Sequence, residues 1–194
     1  MKKGWIIALV VFGFLGILFA GTYNRLVSGD EAVKSSWAQV QNVYQRRADL
    51  IPNLVETVKG YAAHEKETLQ GVIEARSKAT SIQAGADIVN NPELLKKFQQ
   101  AQGELSSALS RLMVVIERYP DLKANQNFLA LQTQLEGTEN RITVERMRFN
   151  EAAQSFNTLR RQFPTMIVAN LFGFGAKAYF QAEEVAQKAP QVKF

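Results

Sequence analysis

The 194-residue chain has no cysteine and a single histidine, His64. The first absence excludes disulfides, thiolate nucleophiles and thiolate metal sites. The second leaves too few imidazoles for the three nitrogen or sulfur ligands of a zinc centre. His64-Glu65 opens like a zinc-protease helix, but Thr68 stands where that motif needs its second histidine. The Glu-x-x-His pairs of a carboxylate di-metal site are missing too. There is no G-x-S-x-G elbow and no second histidine to activate a serine. Gly173-Phe174-Gly175 follows no strand pattern and has Ala178 in place of the third glycine of a dinucleotide fingerprint. No cofactor, no metal and no catalysis are therefore expected. Alternating apolar and polar runs of strand type are also lacking, which points to an all-α fold. The net charge of +5 is modest, and most basic residues interleave with acids. That is the pattern of a mixed solvated surface, and no nucleic-acid partner is expected.

What the chain does have is one long apolar run. Lys2 and Lys3 precede an uncharged stretch from Gly4 to Asn24, with Trp5 and Tyr23 near its ends and Arg25 the next charge. Aromatic residues favour the two membrane interfaces, and Trp5 to Tyr23 as a helix covers about 27 Å, close to the hydrocarbon thickness. A cleaved secretory signal is the rival reading. Its cut needs small residues one and three places upstream, whereas Ala20 pairs with Leu18 and Gly21 with Phe19. A buried helix of a soluble domain would need cover on every face. An uncleaved anchor over residues 1–27, including a short linker, is expected, with a bundle domain over 28–194. Lys2, Lys3 and the amino terminus outnumber Arg25 and Lys34, which places the N-terminus in the cytoplasm and the bundle outside it, in the periplasm.

From Val33 the apolar positions keep a three–four spacing through Trp37, Val40, Tyr44, Ile51, Leu54, Val58, Tyr61, Val72 and Ala79. That is the seam of a long packed helix, capped by Ser28 or Asp30, kinked at Pro52 and weakened at Gly60 and Gly71. A polar loop, Ser81 to Asn91, leads to a second helix with Asn91 as its cap and Pro92 in its first turn. Its seam runs from Leu95 to Tyr119, where Pro120 stops it. The third seam, Phe128 to Phe163, is the most regular, and Pro164 ends it. A short amphipathic helix from Ala176 to Lys188 closes the chain. Three long stripes and a shorter one predict a left-handed antiparallel bundle behind the anchor.

Two features depart from a plain bundle. Arg47, Glu65 and Glu145 occupy core-type seam positions, and a buried charge needs partners. Asp49, Glu139, Arg141, Arg146 and Arg148 are the candidates nearby in the pattern. The group reads foremost as an ion network fixing helix register, with a docking surface or acid–base pocket as the functional alternatives. Near the end, Met166, Ile167, Val168, Leu171, Phe172 and Phe174 form a dense apolar segment. It reads as a fourth packing element, or else as a contact for lipid or a partner.

Several blocks resemble those of the LemA family. Arg46 to Glu65, RRADLIPNLVETVKGYAAHE, is similar to its central signature, and Tyr23-Asn24-Arg25-Leu26-Val27 to its post-membrane motif. Tyr119 to Asn125 (YPDLKAN), Thr138-Glu139-Asn140-Arg141-Ile142, Arg148-Phe149-Asn150, Tyr179-Phe180 and the final Phe194 are similar to later blocks. Phe149-Asn150 and Phe156-Asn157 differ where tyrosine is often found. The resemblance implies an N-terminally anchored bacterial membrane protein with a helical bundle, and no established catalytic residues.

The expected function is an interaction or scaffold module in the membrane. Its partners would be the bilayer, other membrane proteins or further copies of itself. Lipid-surface work by residues 165–174 is the alternative, and an enzyme built on Arg47, Glu65 and Glu145 a weaker one.

Overall fold

The structure, a computed structural model, describes residues 2–82 and 85–181. Helix α1 runs without a break from Lys2 to Lys59, 58 residues or about 87 Å at 1.5 Å per residue. Then come α2 (Lys66–Ser81), a 3-10 turn (Ala86–Asn90), α3 (Pro92–Ile116), the single turn α4 (Pro120–Lys123), α5 (Gln126–Arg161) and α6 (Thr165–Leu171). No strand occurs among the described residues. The fold is an all-α bundle.

The longest helix joins the apolar N-terminal segment to the first half of the first bundle stripe. The stripe expected from Val33 to Ala79 as one helix is broken at Gly60, where two amides, Tyr61 N and Ala62 N, both bond the Val58 carbonyl and tighten the last turn. There the chain reverses, so that Leu69, Val72, Ala75 and Ala79 are buried on the bundle. Extended straight on, that face would pass the start of α5 and lose its cover. Because α1 begins so early, Ser28 and Asp30 lie inside it and cap nothing.

Pro52 does not end α1. Proline has no N–H for the carbonyl four residues back. That carbonyl, Ala48 O, instead accepts from Arg76 Nε of α2 at 2.8 Å.

Asn91 and Asn125 cap α3 and α5, accepting from Leu94 N and Phe128 N at 3.0 Å each. The expected loop 81–91 contains the 3-10 turn, with Ile88 and Val89 buried. Pro120 starts α4 as well as following α3, which stops at Ile116. The helix expected from Ala176 to Lys188 is corrected in part. Residues 174–181 carry no helix; their backbone is held by side chains of the bundle. Residues 182–188 lie outside the described residues.

α5 packs antiparallel along α1. Tyr61 meets Asn125 at one end, Arg47 meets Glu139 midway, and Gly29 lies against Phe156 at the other. A Cβ on Gly29 would come within 3.1 Å of the Phe156 ring, so this is a close helix crossing. α2 and α3 form the second antiparallel pair. The core falls into two clusters. One surrounds Trp37, whose ring lies 5.4 Å from Phe98, 5.6 Å from Phe149 and 6.0 Å from Phe180. The other holds Ile51, Leu54, Val72, Leu105, Leu112 and Phe128. On α1 the first cluster ends at Tyr44 and the second starts at Ile51. Arg47 stands between them.

Candidate functional site

Arg47 is 1% exposed, and its donors reach two other helices. Nη1 donates to Glu139 Oε2 of α5 and to Ser106 Oγ of α3, both at 2.8 Å. Nη2 donates to Gln102 Oε1 at 2.5 Å and to the Gln102 carbonyl at 3.3 Å. Gln102 in turn donates to Ala79 O of α2. The Tyr44 ring lies 5.1 Å from the guanidinium, and burial pushes its phenol up, against the pull of Arg146 and Arg47. Four helices thus meet at one polar level between two apolar clusters. A buried guanidinium that must find all of these acceptors permits one register of the helices.

Arg146 also acts on the Tyr44 phenol of this level, and the remaining charged candidates do not join it. Glu65 lies beyond the end of α1, at the far tip of the bundle, where it accepts from Arg118 Nη2 and Tyr119 Oη, both at 2.9 Å. The bond to Glu65 raises Tyr119, because ionisation would set two negative oxygens together. Glu145 pairs with Arg148, one turn along α5. Asp49 accepts from Gln45 on its own helix. Arg146 covers the Phe180 ring at 4.7 Å, and Arg141 is exposed. Arg47, Glu65 and Glu145 share no partner, so the acid–base constellation is not assembled. Among the described residues, no group of three His, Asp or Glu could hold a metal ion.

A second polar system had no signal in the periodicity. Residues 174–181 lie along α5 as a strap, gripped by side-chain amides. Asn157 Oδ1 accepts from Lys177 N at 2.8 Å while its Nδ2 donates to Lys177 O at 2.9 Å. Asn150 does the same for Phe180, at 2.9 and 3.0 Å. Gln99 of α3 repeats the grip on Gln181. The spacing explains the fit, since seven residues of helix and three of extended chain both cover about 10 Å. Within the strap, Lys177 turns inward to pair with Asp30 of α1 and to donate to Asn90. Burial alone would raise the Asp30 carboxyl, but the bonds from Lys177 and Lys34 outweigh it and hold the group below its ordinary range.

The apolar candidates divide. Thr165, Val168 and Ala169 of α6 face the bundle, and Phe174 is half-buried between Tyr23 and Phe156. Met166, Ile167, Leu171 and Phe172 are exposed.

The blocks that resembled one family meet in pairs. Arg47 of the central signature holds Glu139, Tyr61 and Glu65 hold Asn125 and Tyr119, and Asn150 holds Phe180. The family's own model, described as LemA family, matches residues 36–194. The chain belongs to the LemA family.

Relatives of this LemA-family chain include magnetosome protein MamQ 2 of Paramagnetospirillum magneticum, 28% identical over 93% of this chain and 74% of that protein. Protein LemA of Metamycoplasma hominis is 27% identical over 91% of this chain and 77% of its own length. MamQ of Magnetospirillum gryphiswaldense is 26% identical, covering 81% and 64%.

Proposed function

We propose that this LemA-family protein is a single-pass membrane scaffold, which stands a rigid helical bundle on the bilayer and presents it to other membrane proteins or to copies of itself. One observation carries the reading: α1 is a single helix from the apolar segment through to the bundle tip. Of its described helices, α1 alone is long and apolar enough to cross a membrane, and no residue of its most apolar stretch is buried by the rest of the chain. From Tyr23 to Lys59 the same helix reaches about 54 Å further. A rod continuous with its anchor transmits position and tilt, which a flexible linker would not.

Support also comes from where the family blocks go. Arg47 and Glu139, Tyr61 and Asn125, Glu65 and Tyr119, and Asn150 and Phe180 join one block to another, as register-fixing clasps. The reading takes the N-terminus as cytoplasmic and the bundle as extracytoplasmic, on the lysine excess beside the N-terminal end. Crosslinking the full chain in intact membranes tests it. Defined higher-mass products, from partners or from copies, are expected; isolated monomers at every crosslinker length would count decisively against it.

A further inference from the structure

We propose that α6 and its flanks form a second membrane contact, a short apolar wedge that enters the bilayer interface beside the anchor. The uncharged stretch from Gln162 to Ala176 is the second longest feature of its kind in the chain, bounded by Arg161 and by Lys177. One face of α6 is spent on the bundle through Thr165, Val168 and Ala169. The other turns Met166, Ile167 and Leu171 outward, with Asn170 among them, and Leu171 is 69% exposed. Phe163, just before α6, is 80% exposed.

The position of this face identifies what covers it. The Phe172 ring lies 4.8 Å from Tyr23 and 5.9 Å from Phe19. Phe19 is one turn inside the apolar run from Tyr23, so the end of α6 stands level with the last turn of the span. An open groove of about 510 Å³ runs beside this contact, lined by Phe172 and by Phe12, Leu15, Phe19 and Tyr23 of α1. The outward face of α6 is therefore continuous with the surface of the spanning helix, and acyl chains that meet Phe19 meet Phe172. The charges agree with that depth. Gly29 lies opposite Phe156, which sets Arg161 near the height of Asn24; Arg161 and Arg25 are both exposed, at the level of lipid phosphates. Lys177 has its ammonium turned inward to Asp30, away from the wedge.

The bundle is continuous with its spanning helix, but a lone span lets it lean toward the bilayer on any flank. A wedge on one side fixes which flank of the bundle faces along the membrane, and so which surface neighbours can reach. The proposal rests on the anchor reading for where the bilayer lies.

The absence of cysteine makes the test direct. Single-cysteine variants of the full chain, Ile167→Cys, Leu171→Cys, Leu9→Cys in the span and Val114→Cys on α3, are labelled with an environment-sensitive fluorophore. They are reconstituted in phosphatidylcholine–phosphatidylglycerol vesicles with and without doxyl lipid. Labels at 167 and 171 should be quenched by doxyl lipid at least twofold more than at Val114, and shielded from aqueous iodide. If Leu9 is quenched while 167 and 171 behave like Val114, the wedge is refuted and the anchor stands. If Leu9 is not quenched, both fall. Shielding from iodide without lipid quenching means that a second copy covers the face, which also overturns the wedge.

Discussion

Arg76 of α2 supplies Ala48 of α1 with the hydrogen bond that Pro52 cannot. Its Nε stands 2.8 Å from the Ala48 carbonyl, in the place of the amide proton that any other residue at position 52 would carry. Helix α1 therefore passes through a proline and remains a single rod to Lys59. The repair comes from a neighbouring helix, so continuity of α1 and docking of α2 depend on each other.

Arg76→Ala should cost about 1.5–3 kcal/mol, the range for a hydrogen bond from a charged donor to a part-buried acceptor. In a Pro52→Ala background the helix regains its own N–H, and the same substitution should cost well under half as much. Circular-dichroism melts of the full-length native chain, the two single variants and the double variant in detergent close this cycle. Equal costs in both backgrounds would mean that Arg76 acts elsewhere.

How far the sequence alone revealed this arrangement depended on periodicity. The apolar run and the heptad stripes are local patterns, and the long apolar helix, the bundle and the odd position of Arg47 are legible from them. Glu139 is among the charges that the same pattern sets near it. The stripe alone sets Glu65 in a seam, because its spacing continues past Gly60; the turn there moves Glu65 to the tip. Lys177 and the strap left no trace. An extended segment held by Asn150, Asn157 and Gln99 has no period of its own, and its partners are distant in sequence.

The Arg47 clamp predicts an ordering that counts of ion pairs would not. Glu139→Ala leaves a buried guanidinium without its counter-ion, and should cost about 3 kcal/mol, less than a fully sealed pair because Glu139 is half exposed. Arg47→Met removes the charge and keeps an apolar stem of similar length, so it should cost less than Glu139→Ala. Thermal melts of the two variants decide it, and the reverse order would show that the guanidinium contributes chiefly through Gln102 and Ser106.

The Asp30–Lys177 pair sets an acid limit. The Asp30 carboxyl is held below its unfolded value of 3.8. Its contribution is complete above that value and is lost as the pH falls through the lower, folded one. Melting temperatures measured from pH 6 to pH 2.5 should therefore fall more steeply for the native chain than for Asp30→Asn at the acid end. The variant should be less stable at neutral pH, where it leaves Lys177 buried without a full counter-charge. Parallel curves for the two proteins would remove the pair from any account of acid stability.

The amide grips predict a local effect without a global one. Asn157→Ala deletes both bonds to the Lys177 backbone and strands a buried N–H and C=O, at a cost of about 1–3 kcal/mol. The strap adds Phe180 to the Trp37 cluster, but Asn157 grips it at Lys177, and the α1–α5 and α2–α3 pairs pack directly on each other. The loss should therefore appear as opening of the strap, with little change in the main melting transition. Hydrogen exchange at 174–181 should rise roughly tenfold for each ~1.4 kcal/mol lost, and protease should cut near Tyr179 and Phe180. Asn157→Asp separates the two halves of the grip. It keeps the acceptor for Lys177 N but loses the donor and faces the Lys177 carbonyl with a negative oxygen, so it should open the strap as much as alanine does. If Asn157→Asp instead exchanges like the native chain, the donated bond is dispensable and the strap is held by Lys177 and Phe180 side chains.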